Sequence, residues 1–198
     1  MSDSVATTVE LWQRHAMAIE DVTQRFLRVT AAFDAERIPY ALVGGQAVAL
    51  WVATKDPDAI RITKDVDILV RRSDLPAVCR AGLSIGMDYF EVMGVGMLLE
   101  RDNPNPRRGV HLIWAGEKVR PENPLASPAV NDVERLESGR PVVPLFELVQ
   151  MKLMANRDQD RVHLRDMIGV DLINRDMLTN LPPELAARLD ALLTDSGR

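Results

Sequence analysis

The 198-residue chain has a single cysteine, Cys79, so it can form no internal disulfide and offers no CxxC pair to a zinc ion. That excludes a disulfide-stapled scaffold and points to a reducing compartment, the cytoplasm, with Cys79 expected as a small buried apolar residue. Long hydrophobic runs are missing as well. No stretch approaches the roughly 20 apolar residues of a membrane span. The first twenty residues mix Asp3, Glu10 and Glu20 with scattered apolar positions, unlike a signal or transit peptide. P-loop and HExxH patterns are absent too, and the chemistries they carry lose their support. Positive charge is not in excess either: the formal net charge of −5 gives no global attraction for nucleic acid. The segment 101–120 is a local exception, with Arg101, Arg107, Arg108, Lys118 and Arg120 against Asp102 and Glu117. It reads either as a solvated loop or as a patch that positions a polyanion through phosphate contacts.

What is present alternates between helical and strand-like patterns. In the first 35 residues Trp12, Ile19, Phe26 and Phe33 recur every seven positions, the spacing of an amphipathic helix with one buried seam. That seam lies either on the chain's own core or against a second copy in a homodimer. YALVGG (40–45) is a short apolar run ending in two glycines, and QAVALWVA reads as a helix start. DVDILV follows as a strand, then SDLPAVCRAGLSIG as a helix with a Ser/Asp cap and Pro76 in its first turn. YFEVMG, GMLLE and GVHLIWAG read as further strands, and LFELVQMKLMANR, DQDRVHLRDMIGVDLI and PPELAARLDALL as helices. Strands in the middle and helices at both ends predict an α+β, mixed α/β fold. The expected organisation is one unit over 1–198: an N-terminal helix (1–37), a sheet-containing core (38–145) and a helical C-terminal part (146–198).

The chemistry centres on RITKDVDILV. Side chains alternate on a strand, so Val66, Ile68 and Val70 face the core while Asp65 and Asp67 share the opposite face. Two carboxylates that close repel each other, so they are either solvated on a surface strand or share a cation, and Mg²⁺ favours such an oxygen site, sharing it with water and phosphates. Twenty residues earlier, Gly44 and Gly45 end a strand and open a helix, where bare backbone N–H groups let phosphate oxygens approach. Arg61 and Lys64 add positive charge beside the aspartates.

ALVGGQAVALW followed by RITKDVDILV resembles the hG[GS]…DxD motif of the minimal nucleotidyltransferases of the DNA polymerase beta superfamily, the AbiEii-like toxins of bacterial type IV toxin-antitoxin systems in particular. LVQMKLMANRDQDRVHLRDM is similar to that family's downstream Lys, Arg and Asp helices. The resemblance spans roughly residues 38–173. It implies a nucleotidyltransferase fold with a small mixed sheet flanked by helices. It implies phosphate binding by Gly44 and Gly45, helped by Arg61, and Mg²⁺, or Mn²⁺, held by Asp65 and Asp67. The activity implied is transfer of a nucleoside monophosphate from an NTP to a hydroxyl on an RNA such as tRNA, a protein or an antibiotic, and an antitoxin partner goes with the toxin-like family. The alternative is a noncatalytic nucleotide-binding or interaction protein.

The chain departs from the family pattern where a third carboxylate is expected. His111 stands there, a poorer ligand for magnesium than for manganese or zinc, but able to act as a general base or to remain a hydrogen-bonded residue of the sheet surface. Glu91 and Glu100 are substitutes on neighbouring strands. On the helix LFELVQMKLMANR the helical wheel puts Lys152 and Asn156 within the apolar arc. A buried lysine needs a partner: Asp65 or Asp67, a nucleotide phosphate, or Asp160 in a structural ion pair. The wheel puts Arg157 on the far side, in solvent or a salt bridge. Asp160, His163, Leu164, Met167 and Asp171 share a face of the next helix, with His163 expected to be structural.

Overall fold

The computed structural model describes residues 8–197 except 93, 132 and 138; Asp3 and the Met93 end of the YFEVMG segment lie outside them. Among the described residues the chain order is α1 (Thr8–Ala35), β1 (Tyr40–Leu42), α2 (Gly44–Ala53), β2 (Val66–Val70), α3 (Leu75–Ser84), β3 (Met87–Val92), β4 (Val95–Glu100) and β5 (Val110–Trp114). Two short strands, β6 (Glu134–Arg135) and β7 (Pro141–Val142), precede α4 (Leu145–Ala155), α5 (Asp158–Gly169) and α6 (Pro183–Asp195). No helix among these residues is long and apolar enough to cross a membrane.

The strands form one mixed sheet in the order β3-β4-β5-β2-β1-β7-β6. β2 pairs antiparallel with β1 and parallel with β5, and β4 runs antiparallel to both β3 and β5. The central strands β1, β2 and β5 have neighbours on both sides, which suits their run of buried aliphatic residues. The β2–β5 register sets Asp67 beside His111 and Ile68 beside Leu112. Tyr40, Leu42, Val66, Ile68 and Val70 therefore share one face, and Phe33 of α1 packs edge-on against Tyr40 at 5.8 Å. α1 and α3 cover that face, whereas α2, which begins on the Asp67 side, packs with α4 and α5. Trp51 Nε1 donates to the Val143 carbonyl at 3.1 Å, tying α2 to the strand that leads into α4.

Three sequence expectations need correction. The heptad seam of α1 is buried only at its C-terminal end: Phe33 is fully buried, Phe26 and Ile19 are half-buried, and Trp12 is 69% exposed. The periodicity is real, but the first turns run past the core that would cover them. Cys79 is half-buried, because α3 offers its core face through Val78, Ala81 and Gly82 instead. The β6–β7 pair carried no sequence signal, being only two residues per strand.

Candidate active site

The glycine turn and the aspartate strand are packed into each other. Val43 leaves β1 in an extended conformation, and its N–H donates to the Asp67 carbonyl at 3.2 Å. Gly44 then takes φ +66, a left-handed conformation that L side chains avoid, and starts α2. A Cβ on Gly44 would overlap Asp67 Oδ2 and stand 2.7 Å from Asp67 Cγ; one on Gly45 would lie 2.6 Å from Thr63 Oγ1. Only glycine lets the turn sit this close to β2. The first N–H groups of α2 have no intrahelical partner, so they form an anion-binding helix start next to the aspartates.

Asp67 is half-buried, and its Oδ1 lies 2.9 Å from His111 Nδ1, a pairing made inevitable by the parallel register of β2 and β5. Asp65 is exposed just before the strand begins, close enough that its charge acts on His111. The hydrogen bond to Asp67 is the largest influence on the imidazole. With the charges of Asp67 and Asp65 it raises the pKa against burial and the opposing charge of Arg157. Nδ1–H thus donates to Asp67, and Nε2 is the nitrogen left for other chemistry.

Glu91 and Glu100 do not replace a third carboxylate. Glu91 is exposed on the edge strand β3, near the Tyr89 hydroxyl, and Glu100 pairs with Arg28 of α1. The residue of β4 opposite His111 is Met97. Among the described residues no group of three or more His, Cys, Asp or Glu side chains gathers as a metal cluster. The donor set nevertheless suits one hard divalent ion: two carboxylates with space kept open by Gly44, and water or phosphate to complete an octahedron. A second ion would have to draw on the imidazole, which suits Mn²⁺ better than Mg²⁺.

The helical residues fall differently from the wheel. α4 ends at Ala155, and Asn156 adopts the left-handed region with φ 48 as its C-cap. Arg157 therefore leaves the α4 wheel altogether and becomes the N-cap of α5. From there its Nε donates to Asp160 Oδ2 at 2.8 Å. The Asp160 hydrogen bond chiefly raises its pKa, and the charges of Asp67 and Asp65 reach it as well. The salt bridge expected of Arg157 is thus made, from a side chain that is 67% exposed and whose charge stands within range of both aspartates. The clue to the end of α4 was present in the sequence: an Asn between two helical runs is a candidate left-handed stop.

Lys152 is 5% exposed and its Nζ donates to the fully buried Asp160 Oδ1 at 3.1 Å, so its ion-pair partner is Asp160 and neither Asp65 nor Asp67. Arg61 makes a two-pronged contact with Asp166 of α5, at 2.8 and 3.0 Å. His163 is 5% exposed, and Gln159 Nε2 lies 2.9 Å from its Nε2. Burial first, and the charge of Lys152 next, push its pKa down to about 4, which keeps the ring neutral. Asp171 does not share the α5 face, because the helix stops at Gly169 and Asp171 turns left-handed with φ 59.

No family profile matches the chain, and no curated protein matches it by sequence. Among solved structures, an antigenic nucleotidyltransferase-like protein from Paracoccidioides brasiliensis superposes with a TM-score of 0.53 at 16% identity, over 89% of this chain and 88% of that one. This chain has the nucleotidyltransferase fold. The antibiotic-resistance factor ANT(2'')-Ia aligns over 88% of this chain and 94% of its own at 13% identity, with a TM-score of 0.48. A Megavirus polyadenylate synthase aligns over 80% of this chain but only 36% of its own, at 12% identity and a TM-score of 0.41. Within the nucleotidyltransferase fold, the elements brought together here are Gly44, Gly45, Asp65, Asp67, His111 and Arg157. Lys152 and Arg61 stand one layer back, on their α5 carboxylates.

Proposed function

We propose that the protein is a nucleotidyltransferase that moves a nucleoside monophosphate from an NTP to a hydroxyl of an RNA end or a protein. The observation that carries this reading is the Gly44–Asp67 wedge, a glycine turn at a helix start packed so closely on a strand carboxylate that no Cβ fits between them. A hard divalent ion held by Asp65 and Asp67 would supply charge neutralisation at the reacting phosphate. The N–H groups of the Gly44–Gly45 turn hold the triphosphate, and Arg157 adds a cation on the same side. Asp67 fixes the His111 tautomer through Nδ1–H and raises the basicity of the ring, so Nε2 can take the proton of the attacking hydroxyl. The imidazole thereby covers the proton-accepting part that the family resemblance gives to a third carboxylate. Lys152, locked to Asp160, holds that carboxylate where it orients Arg157. The motifs shared with AbiEii-like toxins support the finer reading of a toxin-like enzyme with an antitoxin partner.

A second reading, nucleotide binding without transfer, is favoured by the single-ion donor set. Incubation with each α-³²P-labelled NTP, Mg²⁺ or Mn²⁺, and total cellular RNA and protein separates the two. Label on a macromolecule that vanishes in Asp65→Ala/Asp67→Ala establishes transfer and the acceptor class. Nucleotide binding with no labelled product under either metal refutes it.

A further inference from the structure

We infer that the groove between α1 and the segment leading into β5 binds the phosphate backbone of a single-stranded RNA acceptor, with Arg25 as its floor. The inference rests on the transferase reading above and names its acceptor. Two adjoining cavities of about 680 and 510 Å³ make the groove, and Asp21, Arg25 and Arg108 line both. Around them stand six cations, Arg14, Arg25, Arg28, Lys64, Arg107 and Arg108, with two carboxylates, Asp21 and Glu100. Asp21 is shared between Arg25 and Arg108, and Glu100 is taken by Arg28, so the cations stay in surplus in a chain of net charge −5.

Arg25 is the decisive member. It is 3% exposed, yet its Nε has no hydrogen-bond partner among the described residues. Burial lowers its pKa, and repulsion from Arg108 and Arg28 works in the same direction against the pull of Asp21 and Glu100. Its Nε is closed off from solvent, so Arg25 acts as a fixed positive charge behind the wall that the two cavities share, drawing phosphates toward the exposed cations around it. Several separate cations along adjoining cavities fit a row of phosphates better than a lone hydroxyl-bearing side chain.

The groove also leads to the site. Val66 pairs with Val110 in parallel register, so residues 64–65 and 107–109 emerge at the same end of the sheet. Lys64 lines the groove, and the next residue is Asp65. The groove lies on the α1 side of the sheet, whereas Asp67 and His111 lie on the opposite face. An RNA strand would pass round the rim at Lys64 and present its terminal hydroxyl to Asp67 and His111, leaving the glycine turn to the NTP.

The test is fluorescence anisotropy with a labelled oligoribonucleotide of about 12 nucleotides, without NTP, across a salt series. Each phosphate contact contributes about −0.7 to the slope of log K against log salt. Lys64→Glu/Arg107→Glu changes two exposed positions, so the fold should persist by circular dichroism. Affinity should fall by about tenfold or more and the slope should become shallower by about 1.4. Arg25→Met should weaken binding as well. Unchanged affinity in the folded double variant overturns the inference. So does groove-dependent capture of an acidic peptide in preference to RNA, which would make the acceptor a protein. Groove-dependent RNA binding by a protein that transfers nothing would refute the transferase reading while upholding the groove, and RNA labelling that survives the double reversal would do the opposite.

Discussion

Replacing Gly44 with alanine tests whether the glycine turn and Asp67 act as one unit. The substituted residue must hold φ +66, and its Cβ would overlap Asp67 Oδ2. An L residue in the left-handed region costs about 1–2 kcal/mol. The Asp67 carboxylate must swing away, breaking its 2.9 Å hydrogen bond with His111, and because the added Cβ also lies 2.9 Å from Asp67 Cβ the turn has to give slightly as well. A hydrogen bond to a charged group contributes about 1.5–3 kcal/mol; with both side chains 23% exposed, the lower end applies. The sum is about 3 kcal/mol. Gly116→Ala is the matched control, since Gly116 has φ +74 but nothing within 4 Å of an added Cβ, and should lose only the backbone part, about 1–2 kcal/mol. Urea unfolding of both variants reads the difference. Nucleotide transfer should fall about 100-fold or more in Gly44→Ala and stay near wild type in Gly116→Ala. Equal unfolding midpoints, with transfer intact in Gly44→Ala, would refute the wedge as the basis of the site.

Three further outcomes are expected. Lys152→Met removes one partner of a buried pair and leaves Asp160 to Arg157 alone; urea unfolding should show a loss of about 3 kcal/mol, and a neutral result would mean that the pair does not hold α4 to α5. His163 is neutral in both states above its ordinary value of 6.5, but between there and about 4 the unfolded chain binds a proton that the folded chain refuses. Stability should therefore drop as pH falls through that window, by up to about 3 kcal/mol, and the wild type minus His163→Phe difference in urea titrations should vary with pH there and become constant above pH 7. Arg157→Ala should raise the nucleotide dissociation constant by about tenfold and, by removing one of the two partners of buried Asp160, lower the urea midpoint as well; a lowered midpoint with unchanged binding would place Arg157 in a purely structural role.

Much of the site was readable before any coordinates, because it depends on local rules. Strand alternation separates Asp67 from Val66 and Ile68, and a glycine pair after an apolar run marks a turn that needs backbone freedom. His111 was locatable on β5 for the same reason. The wheel argument failed for Asn156, since it extended α4 past the left-handed residue that ends it, whereas the salt bridge expected of Arg157 is made, with Asp160. The wheel failed for Asp171 in the same way as for Asn156. The heptad seam at Trp12 was correct as a pattern, but periodicity does not say how far the core extends beneath a helix.

The sequence alone determined the α+β composition, the glycine turn, the aspartate strand and the strand that carries His111, because each follows from the spacing of nearby residues. Only the tertiary structure decided that Asp67 pairs with His111, that Asp160 takes both Lys152 and Arg157, and that Arg25 ends up buried beside Arg108. Asp67 with His111 and Arg25 with Arg108 join elements far apart in the chain, and the Asp160 contacts, though local, depend on where α4 stops and α5 starts. Strand register and helix packing select them, and each buried charge settles on the partner that the fold leaves within reach.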